Sequence, residues 1–227
     1  MSLLSPTSLA DSAGPVPPEL CPPRRCAEDD FSEMLRRYRL GLALFVAAVA
    51  MLFIGFSSAY VVRRGIPTYE AGTGAYSTTW EPLRLPIGIL FLNSCLLICA
   101  SGAIEVVRRK TRLFTYGKAG IERGSKLWLN ASLLLGIGFL VGQAIAWHSV
   151  PSSGQALNTG ARAAFFYVLS GTHAVHALAG VLAVTVITVF NVSLSAARWR
   201  IAVDLTAWYL HSMTLLWIYL FCFLLFA

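Results

Sequence analysis

Three histidines lie in stretches of the sequence that are almost free of charge. His173 and His176 are three residues apart, and His211 lies in a later apolar stretch. Residues three apart are separated by about 60° around an α-helix, so both can face one neighbouring helix. Their imidazoles could ligate haem or copper, relay protons, or form hydrogen bonds between helices or to lipid head groups. Hydrogen bonding is favoured, because a redox centre needs a complete ligand set and groups that orient it.

Carboxylates are missing from the middle of the same stretches. The 11 Asp and Glu residues lie in the N-terminal segment, in loops or, for Glu105, at the end of an apolar stretch where its side chain can reach the interface. Asn93 and Gln143 are further polar side chains within the stretches. A proton or ion carrier needs titratable groups at membrane depth, so a free-standing transporter is disfavoured.

Five stretches are uncharged and long enough to cross a bilayer as helices, which takes ~20 residues. They cover residues 40–62, 85–104, 127–147, 163–190 and 205–227. The chain is 56% hydrophobic and 13% charged, whereas about a quarter of a soluble domain is charged. The sequence therefore predicts an all-α, polytopic membrane bundle of five transmembrane helices over residues 35–227. Residues 1–34 are predicted to form a disordered, Pro-rich cytoplasmic tail.

The connecting segments predict the orientation, because positive charge resists translocation. Fourteen of the 18 Lys and Arg residues lie in the N-terminal segment and in the second and fourth loops; on the opposite side are Arg63, Arg64, Arg84 and Arg162. We expect the N-terminus in the cytoplasm, the C-terminus outside, and a multi-pass protein of the cytoplasmic membrane. No cleavable signal peptide is expected at the N-terminus.

The net charge of +7 is confined to these connecting segments. That distribution is typical of membrane topology and lipid contact, and it argues against a nucleic-acid partner. Cys21 and Cys26 form a C-x4-C pair without further ligands nearby, which is weak evidence for a metal site.

Small residues predict where helices touch, because close backbone approach drives helix packing in lipid. Gly138 and Gly142 form a GxxxG motif in the third stretch, and Gly171 and Gly180 lie in the fourth. All four are interpreted as packing residues.

Residues 165–180, FFYVLSGTHAVHALAG, resemble the signature of subunit III of the haem-copper oxidases. The last stretch is similar to that family's last helix, where an acid precedes an aromatic run and a His, and another Trp follows. The matching residues are Asp204, Trp208, Tyr209, His211 and Trp217, with weaker matches at Asn93 and Glu105. The resemblance covers about residues 35–227 and fits the short, five-helix bacterial form of the family.

The resemblance implies a non-catalytic subunit III of a cytochrome c oxidase in aerobic respiration. Such a subunit supports assembly, lipid binding and sustained proton uptake by the catalytic subunit I, which contains haem and copper. No catalytic, cofactor-binding or metal-binding residue is then expected in this chain. Bound phospholipid is expected. The residues assigned to structural or lipid contacts are His173, His176, His211, Glu105, Asn93, Trp208, Tyr209 and Trp217.

Three positions depart from the family pattern. Val49 stands where many members have a glutamate, Thr214 where an Asp usually follows the last His, and Leu210 where an aromatic usually precedes it. A mechanism that relies on those acids cannot be transferred. Any role near proton entry must then depend on packing and lipid binding.

Two alternatives remain at this stage. The chain could be a subunit III-like partner of a quinol oxidase or a nitric oxide reductase, because the electron donor and the electron acceptor are determined by other subunits. It could also be a haem-binding membrane anchor that uses His173 or His176 opposite His211.

Overall fold

Five long α-helices make up most of the described chain. The computed structural model describes residues 23–70, 75–77, 86–113, 123–152, 161–190 and 195–226. The helices are α1 (Pro23–Gly65), α2 (Ile87–Leu113), α3 (Arg123–Ser152), α4 (Ala161–Val189) and α5 (Ala196–Phe226). Each contains a segment long and apolar enough to cross a membrane. The prediction of five membrane-spanning helices is confirmed for this part of the chain.

The helices extend beyond most of the predicted spans. The candidate membrane-spanning helices cover Phe31–Gly65 in α1 and Ile87–Thr111 in α2, since a helix can continue past the hydrocarbon where charged side chains reach the interface. Of the predicted tail, residues 1–22, including Cys21, lie outside the described residues, and α1 begins at Pro23. The described part of the chain divides into two units between Leu40 and Gly41, and the bundle described below belongs to the second.

A short hairpin between α1 and α2 was not predicted. Strand β1 (Thr68–Glu70) pairs antiparallel with β2 (Ala75–Ser77), with Tyr69 opposite Tyr76. Strands of three residues are too short to show the alternation of apolar and polar residues by which a strand is predicted from sequence.

Two helix starts have identifiable causes. Pro86 precedes α2, and its carbonyl accepts hydrogen bonds from the backbone amides of Ile89 and Leu90. Ser195 precedes α5, where its carbonyl accepts from Trp199 N–H at 2.9 Å and its hydroxyl from Arg198 N–H at 3.5 Å. Serine is a preferred N-cap because its oxygen satisfies an amide that has no partner within the helix.

Helices α2 to α5 form a ring. Helix α2 packs against α3 and α5, and α4 packs against the same two helices. Helix α1 contacts α4 and α5 through aromatic rings: Tyr60 lies 5.5 Å from Phe165 and 5.1 Å from Phe223 between ring centroids. Of the five spans, α1 is the least buried. The bundle core is therefore inside the ring and along the seam with α1.

Candidate functional site

His211 on α5 directs both ring nitrogens at α2. Its Nε2 lies 3.2 Å from Glu105 Oε2, and its Nδ1 contacts the hydroxyl of Ser101. Ser101 and Glu105 are four residues apart, so they lie one above the other on one face of α2. A neutral imidazole can donate from Nε2 to the carboxylate and accept the Ser101 proton at Nδ1. The ring thus bonds two helices through both of its nitrogens.

Two arginines of α2 compensate the charge of Glu105. Arg108 donates to both carboxylate oxygens, from Nε at 2.6 Å and Nη2 at 3.0 Å, and Arg109 donates from Nε at 2.9 Å. Arg108 also lies 3.7 Å from Asp204 of α5 and 6.0 Å from the Trp208 ring centroid. The two negative carboxylates, Glu105 and Asp204, are balanced by the two positive guanidinium groups of Arg108 and Arg109. The formal charge is therefore neutral where α2 and α5 meet. We refer to these groups as the charged network: Ser101, Glu105, Arg108, Arg109, Asp204, Trp208 and His211.

His173 on α4 is fully buried among aromatic rings. Its ring centroid lies 5.0 Å from that of Trp217, 5.7 Å from Phe139 and 6.5 Å from Phe53. Neither ring nitrogen has a hydrogen-bond partner among the described residues. A hydrogen bond to another helix, one of the two kinds of hydrogen bond expected for this residue, is thus not found in that part of the chain, and His173 contacts its neighbours through its ring.

His176 differs from both other histidines. Its Nδ1 lies 2.8 Å from the Thr172 carbonyl of its own helix, and its own carbonyl accepts a hydrogen bond from the Tyr209 hydroxyl of α5 at 2.8 Å. Its ring lies 6.4 Å from that of Phe45 on α1. Tyr209, rather than the imidazole, therefore forms the polar contact between α4 and α5 at this level.

Asn93 and Trp217 connect α2 to two other helices. Asn93 Nδ2 donates to Gln143 Oε1 of α3 at 3.4 Å. Trp217 Nε1 of α5 donates to the Ser94 hydroxyl at 3.0 Å. Ser94 was not singled out from the sequence, because a serine in an apolar helix gives no pattern by itself.

The four glycines differ in how closely a neighbour approaches. A Cβ at Gly142 would overlap the Asn93 amide, and one at Gly180 would lie 2.9 Å from Leu210 Cδ2. A Cβ at Gly138 or Gly171 would meet ordinary contacts at 3.7 and 3.9 Å. A methyl group at Gly142 or Gly180 would thus force a neighbouring side chain to shift, whereas the other two positions have room for one.

Sequence reasoning missed Arg108, Arg109 and Ser101 as members of the charged network. A signal was present, because the two arginines follow Glu105 by three and four residues and Ser101 precedes it by four. Those spacings place side chains side by side on a helix.

The arrangement is suited to joining helices. Among the described residues, no group of three or more His, Cys, Asp and Glu side chains could hold a metal ion. His211 faces α2, whereas His173 and His176 contact aromatic rings of α1. The opposed histidine pair that a haem anchor would require is not found in this part of the chain.

A family model described as cytochrome c oxidase subunit III matches residues 29–227. Three similar curated proteins are each named cytochrome c oxidase subunit 3. The Corynebacterium diphtheriae protein is 26% identical, over 80% of this chain and 84% of its own length. The Xenopus laevis protein is 27% identical, over 81% of this chain and 66% of its own length. The Pylaiella littoralis protein is 23% identical, over 81% of this chain and 64% of its own length.

The chain thus spans about two thirds of the length of several curated relatives, namely 64% of the Pylaiella littoralis protein and 66% of the Xenopus laevis protein. The family match confirms the resemblance, which was expected over about residues 35–227.

Proposed function

Because this chain belongs to the cytochrome c oxidase subunit III family, we propose that it is a non-catalytic subunit of a cytochrome c oxidase in the cytoplasmic membrane. The family match over residues 29–227 carries this proposal. In this role the chain stabilises a catalytic subunit I that contains haem and copper, and it contributes to aerobic respiration without a redox centre of its own.

The contacts of the polar residues support a stabilising role. His211, Tyr209 and Trp217 each bond to a neighbouring helix, and Arg108 lies within ion-pair distance of Asp204 on another helix. Buried polar groups that satisfy one another make a bundle rigid and specify one arrangement of its helices. A rigid bundle of this kind is suited to stabilising an adjacent catalytic subunit without taking part in its chemistry.

We place phospholipid at the end of α2 that carries the charged network. The Arg109 side chain is 76% exposed, and Trp208 is half exposed beside Arg108. A guanidinium group binds phosphate oxygens well, and Trp prefers the head-group level. The distribution of Lys and Arg supports a cytoplasmic location for this end of the bundle.

The contribution to sustained proton uptake is proposed to act through packing and lipid. Val49, which stands where many relatives have a glutamate, is buried in the apolar core. A valine cannot exchange protons, so this position can affect the catalytic subunit only through the shape and order of the bundle.

Copurification tests the proposal directly. A tagged chain, solubilised mildly from its own host, should bring down the haem-copper subunit I and a subunit that accepts electrons from cytochrome c. Copurification of quinol oxidase or nitric oxide reductase subunits instead would contradict the assignment of the electron donor or acceptor.

Turnover experiments test the supporting role. An oxidase purified without this chain should start at a comparable rate of oxygen uptake and then lose activity over successive turnovers, because its catalytic subunit lacks a stabilising neighbour. A stoichiometric haem spectrum in the isolated chain would refute the absence of a redox centre.

A further inference from the structure

Two amide side chains are buried between α2 and α3. Asn93 is fully buried and Gln143 is 1% exposed. Nearby on the chain, Ser94 and Trp217 bond to each other, and Ser94 also donates to the Leu90 carbonyl. Those two side chains complete their hydrogen bonds within the protein, whereas the amide pair does not.

The amide pair makes one hydrogen bond and leaves one acceptor and one donor atom without a partner. Asn93 Nδ2 donates to Gln143 Oε1 at 3.4 Å, close to the upper limit for such a bond. Asn93 Oδ1 and Gln143 Nε2 have no partner among the described residues. Exchanging nitrogen and oxygen in both amides exchanges the roles of the two residues, but it still leaves one acceptor atom and one donor atom without a partner.

An unpaired amide is especially unfavourable at this depth. The surrounding helices lie in segments apolar enough to span a bilayer, where bulk water does not compete for hydrogen bonds. Buried polar groups in proteins are almost always paired, either with protein atoms or with ordered water. We therefore expect both atoms to have a partner.

The chemistry of the two atoms selects the partner. A cation would satisfy Asn93 Oδ1 but not the Gln143 N–H, and an anion would do the reverse. Water can donate to the oxygen and accept from the N–H in one place. Because Asn93 and Gln143 are joined by a hydrogen bond, their amide groups are neighbours, and a single small molecule beside that bond is the simplest partner for both atoms.

Gly142 explains why the amide fits at this position. A Cβ on this residue would overlap the Asn93 amide, so only the absence of a side chain lets Asn93 enter the α2–α3 seam. The glycine and the two amides together form a polar site in an apolar interface.

We propose that Asn93 and Gln143 bind an ordered water molecule, which donates to Asn93 Oδ1, accepts from Gln143 Nε2, and completes the polar contact between α2 and α3. This hydration site is independent of the oxidase assignment.

The hydration site does not include His173. Its ring nitrogens also have no partner among the described residues, but its ring is enclosed by aromatic rings rather than by polar groups.

Solid-state NMR of the full chain in its lipid-embedded complex tests the site. Gln143 and Gln155 are the two glutamines of the sequence. Labelling the glutamine side chains of this chain with ¹⁵N, while its partner subunits stay unlabelled, therefore gives two amide signals, and a Gln155→Asn variant assigns them. We expect magnetisation to pass from water to the Gln143 side-chain amide at short mixing times. No transfer to Gln143 in the otherwise unaltered chain would overturn the proposal.

Variants test the bridging geometry. Asn93→Leu removes the acceptor and should reduce the transfer to Gln143 several-fold. Ser132→Ala is the matched control: it removes another buried α2–α3 bond, from Ser132 Oγ to the Ala100 carbonyl at 3.0 Å, and should leave the transfer unchanged. Equal transfer in Asn93→Leu would overturn the bridge. If that variant does not assemble, Asn93→Ala replaces it, with the same two outcomes.

Discussion

At the scale of the residue, His173 and His211 show two ways in which an imidazole is accommodated in a membrane bundle. His211 uses both nitrogens to contact α2, at Glu105 and Ser101. His173 contacts the rings of Phe139 and Trp217 instead. The same residue type in two apolar stretches of the sequence therefore contributes in different ways, and substitution should separate them.

We expect His173→Phe to leave the free energy of unfolding unchanged or to raise it by about 1 kcal/mol, because an aromatic ring is kept and an unpaired polar group is removed. His211→Phe should lower it by about 1.5–3 kcal/mol, because its bonds to Ser101 and Glu105 are lost. Thermal denaturation of the purified complex measures both. An equal loss in the two variants would show that His173 has a polar partner in the assembly.

A second prediction concerns the GxxxG motif of α3. Gly142→Ala should destabilise the bundle by about 1–3 kcal/mol, because its methyl group would collide with the Asn93 amide. Gly138→Ala is the control, since its Cβ would lie 3.7 Å from Leu96 Cδ1. Retention of the chain in the complex during graded detergent or heat treatment measures the difference. Equal retention of both variants would mean that the α2–α3 seam can open without cost.

At the scale of the element, the charged network joins the C-terminal half of α2 to the N-terminal half of α5. Glu105 is its centre, because its carboxylate contacts His211 and two arginines. The Glu105 side chain is 16% exposed, so solvent screens these interactions less than it would on an open surface.

Glu105→Gln should therefore lower the free energy of unfolding by about 1.5–3 kcal/mol, because Arg108 and Arg109 lose the carboxylate that they share. Glu33→Gln is a matched control on an exposed i,i+4 pair with Arg37, where a change of about 0–1 kcal/mol is expected. Chemical denaturation followed by tryptophan fluorescence compares them. A loss in Glu33→Gln as large as that in Glu105→Gln would contradict the role of burial.

At the scale of the whole molecule, the orientation in the membrane is a prediction that labelling can test. With the native cysteines replaced, Gln155→Cys should react with an impermeant maleimide in intact cells. Lys118→Cys should react only after permeabilisation, because the loop rich in Lys and Arg stays in the cytoplasm. The reverse pattern would invert the proposed topology and place the charged network on the outer side.

The sequence by itself determined the number of helices and the family. Uncharged stretches of about 20 residues have one stable form in lipid, because a helix satisfies every backbone group within its own segment. The motif of residues 165–180 then indicated the family that the match over residues 29–227 shows. Both signals are local along the chain, so no knowledge of packing was needed.

Only the tertiary structure decided which polar groups meet. Glu105 and His211 are 106 residues apart, and Asn93 and Gln143 are 50 apart, so no spacing rule connects them. The structure also separated Gly142 from Gly138 within one motif and gave the three histidines different surroundings. These outcomes depend on how the helices are rotated against each other, and in lipid that rotation is set by side-chain packing across the whole bundle.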